Sequence, residues 1–139
     1  MKKTDWCIIF LAIAIMLAGK FILGPHRSKD ARIKTAFADI AGGLNTVLQM
    51  FKDDCGRYPT TQEGLKVLIN QPTNDLAKGW HGPYIDLPKT PRDPWGHEYV
   101  YRCPGIHNTN GYDLYSLGPD GVSNSGDDIA NWQMPQSPR

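Results

Sequence analysis

The sequence predicts an α+β fold in which a long N-terminal α-helix packs on a small antiparallel β-sheet. Two observations predict it. Apolar residues recur at helical spacing from Ile33 to Phe51, and short alternating segments separated by proline- and glycine-rich stretches fill much of the remainder. A third feature, the acidic stretch from Ser116 to Asp128, has neither period and reads as a structured loop.

The 139 residues are enough for one domain. Fifteen Lys and Arg oppose fourteen Asp and Glu, a net charge of +1. The lack of a basic excess to neutralise phosphates argues against nucleic acid as the main partner. Three cysteines are too few for a disulfide scaffold. Cys7 lies in the apolar N-terminus, which leaves Cys55 and Cys103 either as a possible disulfide in an extracytoplasmic domain or as two small buried thiols.

Residues 6–23, Trp6 to Leu23, are apolar except for Lys20. At ~1.5 Å per residue such a helix nearly spans a ~30 Å hydrocarbon core, and Lys20 is near enough to its end to snorkel. We read a retained transmembrane segment after a short cytoplasmic N-terminus, residues 1–5. A cleavable signal competes, because Lys2 and Lys3 form a basic n-region, but the apolar run is long for one and no small-x-small site ends it. Arg27, Lys29, Arg32 and Lys34 follow the segment, so the positive-inside count points to a cytoplasmic domain. If the acidic stretch from Ser116 to Asp128 holds Ca2+, it points the other way, since weak calcium sites need extracellular-type calcium levels. The loop is given the greater weight here, which places the globular domain, residues 24–139, outside the cytoplasm.

Beyond Gly24-Pro25, a break or kink, Ile33, Phe37, Ile40, Leu44, Val47, Leu48 and Phe51 mark one apolar helical stripe. Gly42-Gly43 within it costs about 1 kcal/mol per glycine relative to alanine, so packing must sustain this helix. The stretch Asp54 to Pro59 ends it. Thr60 and Glu63 then form a capping box that opens a short second helix with Leu65, Leu68 and Ile69 inward, stopped at Gln71-Pro72-Thr73. From Asn74 to Pro94 the chain is loop-rich, with Trp80 and Tyr84-Ile85 as apolar anchors. Three strands are predicted, over residues 83–87, 98–103 and 112–116, with Tyr99, Tyr101 and Cys103 on one face of the second. Trp95, between Pro94 and Gly96, is expected to anchor a turn from the core side.

The acidic stretch carries Asp120, Asp127 and Asp128 among three glycines and a proline. Carboxylates brought close together repel unless a cation lies between them. Ca2+ takes six to eight hard oxygens at roughly 2.3–2.6 Å, and the carbonyls of Leu117 and Val122 could join the three carboxylates. The spacing is not that of an EF-hand, and Pro119-Asp120-Gly121 is also a common turn tripeptide. A metal site and a solvated acidic turn both stand at this point.

No catalytic constellation emerges. His97-Glu98 has no second histidine at helical spacing, and His81 and His107 lie in separate loops. No serine or cysteine has nucleophile-elbow surroundings, and no phosphate loop is present. The sequence predicts no enzyme.

Four motifs stand in order behind the apolar and amphipathic helices: Gly56-Arg57-Tyr58-Pro59-Thr60-Thr61-Gln62-Glu63-Gly64-Leu65, Asp93-Pro94-Trp95-Gly96, Tyr112-Asp113-Leu114 with Ser116-Leu117-Gly118-Pro119-Asp120-Gly121, and Asp127-Asp128-Ile129 with Asn131-Trp132. Together they resemble the major pseudopilins of bacterial type II secretion systems, from about residue 28 to Trp132. The resemblance implies a type IV pilin-like fold and a calcium site whose ligands map to Asp120, Asp127 and Asp128, with Leu117 and Val122 as carbonyl donors. It implies a structural role in protein export across the outer membrane. Partners would be other copies in a helical filament, minor pseudopilins and an inner-membrane secretion platform. The chain would be a single-pass inner-membrane protein with its globular domain in the periplasm, and a separate cytoplasmic ATPase would supply the energy. The N-terminus departs from the family pattern. Lys2 to Cys7 lacks the cleavage-site glycine, the apolar run holds no glutamate, and Asp5 lies only at its edge. An alternative reading is therefore a divergent membrane-anchored accessory or binding protein that is neither processed nor assembled into filaments.

Overall fold

The computed structural model describes residues 29–73 and 78–133. The predicted N-terminal tail, the transmembrane segment and the Gly24-Pro25 break lie outside these residues. Among the described residues no helix is long and apolar enough to cross a membrane.

A continuous helix opens the described chain: α1 (Lys29–Ala38), a π-helical segment (Asp39–Leu44) and α2 (Asn45–Cys55). Ala36, Ile40, Leu44 and Leu48 are buried, followed by Phe51. A strict four-residue repeat drifts by roughly 40° per step around an ideal helix of 3.6 residues per turn. The wider π turn offsets part of that drift and keeps Ile40 and Leu44 facing the sheet. The apolar stripe therefore differs from the one expected. Small Ala36 takes an inner position, Phe37 is 36% exposed, and Ile33 and Val47 only edge the core. Gly56 ends the helix at φ +74°, a conformation that favours glycine, and its N–H donates to Lys52 O at 2.7 Å.

The capping box forms as expected. Glu63 N donates to Thr60 Oγ1 at 3.2 Å, and Thr60 N donates to Glu63 Oε2 at 2.7 Å. It opens a single tight 3-10 turn, Gly64–Leu68, that buries Leu65, Val67 and Leu68, while Ile69 is only partly covered. Arg57 forks onto the same carboxylate at 2.7 and 2.8 Å. These bonds, the Arg57 fork foremost, outweigh burial and pull the Glu63 pKa down to about 2.

The sheet is antiparallel with order β1 (Val100–Arg102), β2 (Asp113–Ser116) and β3 (Ile129–Ala130). Tyr101 pairs with Leu114, and Ser116 with Ile129. The expected strand over residues 83–87 does not form. Pro83 has no N–H, and the N–H groups of Tyr84 and Ile85 both go to Leu68 O at 2.7 and 3.1 Å, so the segment caps the 3-10 turn instead of joining the sheet. Trp80 packs beside it and donates Nε1–H to Val67 O at 2.8 Å, and Trp95 packs against the core edge as expected.

Phenol groups join the sheet end to the helix. Tyr99 donates to Asp39 Oδ2 at 2.9 Å and Tyr112 to Asn45 Oδ1 at 2.6 Å, while Tyr101 donates to Pro59 O at 2.8 Å just beyond the helix. All three rings are buried, and burial drives their pKa values well above the ordinary range. Asp113 ties the β1–β2 connection: it accepts from the N–H groups of Ile106 at 2.7 Å, His107 at 3.0 Å and Asn108 at 2.9 Å. Burial alone would raise its pKa, but these donors and the His107 ring hold it below the ordinary carboxylate value.

Two measurements check this account. Tyr112→Phe removes one bond across the helix–sheet contact and should cost about 0.5–1.5 kcal/mol in urea unfolding, with the sheet retained by circular dichroism. Because the Glu63 pKa is depressed when folded, its stabilisation is present above its ordinary value of 4.5 and is lost as pH falls toward about 2. The acid limb of the urea midpoint should therefore flatten across that window in Glu63→Gln.

Candidate metal-binding loop

β2 ends at Ser116 and β3 begins at Ile129, so the acidic stretch is the β2–β3 connection, held at both ends by the sheet. Inside it Gly118 at φ +64° and Gly121 at φ +69° adopt a left-handed backbone that β-carbons disfavour. A Cβ on Gly118 would lie 2.4 Å from Asp127 O, so the entry to the loop packs directly on its exit. Asn124, a type that tolerates such geometry better than most non-glycine residues, takes φ +63°. On the outer side Tyr115 Oη and Ser123 Oγ bond at 2.8 Å.

Asp120 and Asp127 are drawn together. Asp120 N donates to Asp127 Oδ2 at 3.3 Å, Ser125 Oγ donates to Asp127 Oδ1, and the same hydroxyl lies 3.4 Å from Asp120 Oδ1. The Ser125 bond, set against a small desolvation cost and aided by Asp120 N–H, holds Asp127 below the ordinary carboxylate value. Asp120 also closes an Asx turn on Val122 N at 2.9 Å. Asp128 points to a different neighbour: its Oδ2 accepts from Asn124 N at 2.7 Å, while its Oδ1 is buried with no hydrogen-bond partner.

The donor chemistry suits a hard cation. Every candidate donor is oxygen, two carboxylates converge, and a buried carboxylate oxygen lacks a partner. Among the described residues no three His, Cys, Asp or Glu side chains gather closely enough to hold a metal by themselves. A shell here therefore needs main-chain carbonyls and a movement of Asp128 toward the other two acids. Sequence reasoning missed Ser125 and Asn124, whose bonds pre-arrange the acidic side chains; their polar character within a glycine-rich acidic loop was the available signal.

A hollow of about 340 Å³ separates this loop from the start of the helix, with Ile33, Phe37, Pro119, Asp127 and Asp128 on its walls. His97 belongs to the Asp93-Pro94-Trp95-Gly96 turn and Glu98 extends to solvent toward Arg92 at 3.6 Å, so the pair does not converge on a cleft. Cys55 and Cys103 are both free, partly buried thiols edging the core.

Helix, capping box, sheet and acidic loop thus occur in one chain in the order the four motifs set. The family model for type II secretion system (T2SS) protein G matches residues 25–132. The chain belongs to this family. Relatives named type II secretion system core protein G include one from Pseudomonas aeruginosa, 42% identical over 94% of this chain and 96% of that one. Another, from Klebsiella pneumoniae, is 39% identical over 91% of this chain and 87% of its own length. The crystal structure of the major pseudopilin from the type 2 secretion system of enterohaemorrhagic Escherichia coli superposes with a TM-score of 0.65 at 36% identity, covering 76% of this chain and 90% of that chain. The pilin-like fold and the structural role in a type II secretion pseudopilus follow from that membership.

Gly121→Ala should lower the melting temperature, because the substitution meets both the left-handed backbone and the His97 ring 2.9 Å away. Gly126→Ala, where an added Cβ meets nothing within 4 Å, should leave it nearly unchanged. Thermal denaturation of the pair tests whether the loop is a packed unit.

Proposed function

We propose that this chain builds the shaft of a type II secretion pseudopilus as a Ca2+-stabilised subunit anchored in the inner membrane. Its partners on this reading are further copies of itself in a helical filament, minor pseudopilins and the inner-membrane secretion platform. Residues 6–23 cross the membrane once after a short cytoplasmic tail, and residues 24–139 form the periplasmic domain. The apolar run from Trp6 to Leu23 supports the anchor. Family membership across residues 25–132 supports the assembly. The alternative, an unassembled accessory protein, gains no support from relatives that align over more than nine-tenths of this chain.

The observation that carries the calcium reading is the convergence of Asp120 and Asp127 in a loop where a buried Asp128 oxygen, turned toward another neighbour, has no hydrogen-bond partner. Asp120, Asp127 and Asp128 would provide the charge, and the carbonyls of Leu117 and Val122 the neutral donors. Bound Ca2+ would offset the mutual repulsion of the three acids and couple its binding energy to the order of the loop. The residues themselves do the rest: Ser125 orients Asp127, and the Asx turn at Asp120 fixes the direction of Val122.

Thermal unfolding of the full-length chain in detergent, with Ca2+ and with chelator, tests this. At ~100 times the dissociation constant the ion should add about 2.7 kcal/mol, and the rise in melting temperature should vanish in Asp127→Ala. An equal melting temperature with and without Ca2+ would reduce the loop to an acidic turn.

A further inference from the structure

Asp93 is buried at 4% exposure in the Asp93-Pro94-Trp95-Gly96 turn. Its Oδ1 accepts from the N–H groups of Trp95 at 3.0 Å and His97 at 2.8 Å, closing its own turn. Its Oδ2 accepts from Ser116 Oγ at 2.6 Å, a residue with no exposed surface at the end of β2. Ser116 Oγ in turn accepts from Gly118 N at 3.1 Å. Gly118 packs on the main chain of Asp127, so a chain of contacts runs from a buried carboxylate through one hydroxyl to the acidic loop. His97 provides a second support. Its Nδ1 is 3.5 Å from Asp93 Oδ2, and its Nε2 edge lies against Gly121, between Asp120 and Val122.

We propose that Asp93 and His97 are positioning residues for the acidic loop, setting how tightly it takes Ca2+ although neither is among the donors. This rests on the calcium reading above. The buried carboxylate is distant in sequence from the loop and is fixed by its own turn before it reaches Ser116, so it acts as a rigid post. The charge-assisted bond from Ser116 fixes the hydroxyl, and the hydroxyl fixes the direction of Gly118 N–H. The imidazole fills the space below Gly121 that no side chain on that residue could occupy. Loss of either support leaves the donors in place but the loop free to open, which lowers affinity without removing a ligand. Supporting groups of this kind, when removed, weaken metal binding by roughly 10–100-fold.

The test uses the full-length chain in detergent and four proteins: native, Ser116→Ala, His97→Ala and His97→Phe. Titration calorimetry with CaCl2 should show about tenfold weaker binding for Ser116→Ala and His97→Ala. His97→Phe, which keeps a flat ring below Gly121, should recover most of the native affinity. Amide exchange in chelator provides a metal-free readout, with Gly118 N–H expected to exchange faster in Ser116→Ala than in the native chain. Native affinity in both alanine variants, with unaltered exchange at Gly118, overturns the proposal and leaves the network as core packing. Should Ser116→Ala fail to fold, the His97 pair decides: equal weakening by alanine and phenylalanine removes the supporting role of the ring. Absence of Ca2+ binding by the native chain overturns the calcium reading first, and this inference with it, a result distinct from native-like variants.

Discussion

The contact between the helix and the sheet is the constraint on which the rest depends. Three strands of two to four residues bury too little surface to persist alone, and a helix with two central glycines has weak intrinsic propensity. Each is stable against the other. Ile40, Leu44, Leu48 and Phe51 supply apolar area, and Leu114, Ile129 and the tyrosines meet it from the sheet side. Tyr99 and Tyr112 then add direction, because a phenol bonded to Asp39 or Asn45 permits one register of sheet on helix. The energy of this contact is mostly burial; its uniqueness comes from hydroxyls that would be unpaired in any shifted arrangement.

The acidic loop inherits its geometry from that contact. Ser116 and Ile129 are paired across the sheet, so the ends of the loop are held while its middle bears like charges. Local bonds from Ser125, Asn124 and the Asx turn offset part of the repulsion between the acids. The Asp93 turn presses on the loop from beneath. A structural subunit of a pseudopilus must hold its shape, and a loop pinned at both ends by the sheet and from beneath by a core turn meets that need.

Much of this was legible locally. The capping box at Thr60 and Glu63, the end of the helix within Asp54 to Pro59 and the turn around Trp95 depend on bonds within a few residues, and each formed where residue types alone placed it. The acidic residues of the loop were equally plain, and the structure brings two of the three together. Other features escaped. β3 has two residues, too few to show a period, and exists because β2 offers it an edge. Residues 83–87 read as a strand because their apolar content suits one, yet their N–H groups are taken by Leu68 O, a partner no local pattern reveals.

The sequence by itself determined the helix, its stop, the capping box, the acidic loop and the family, because these rest on short-range bonding and on residue order. Tertiary structure decided which helical face is inside, with Ala36 buried and Phe37 exposed just ahead of the π turn, and which distant groups touch the loop. Ser116 meets Asp93 and Gly121 meets His97 across more than twenty residues of chain. Contacts of that range are chosen by the packing of the whole core, where the best fit of volumes and the pairing of buried polar groups outweigh any preference written in a single segment.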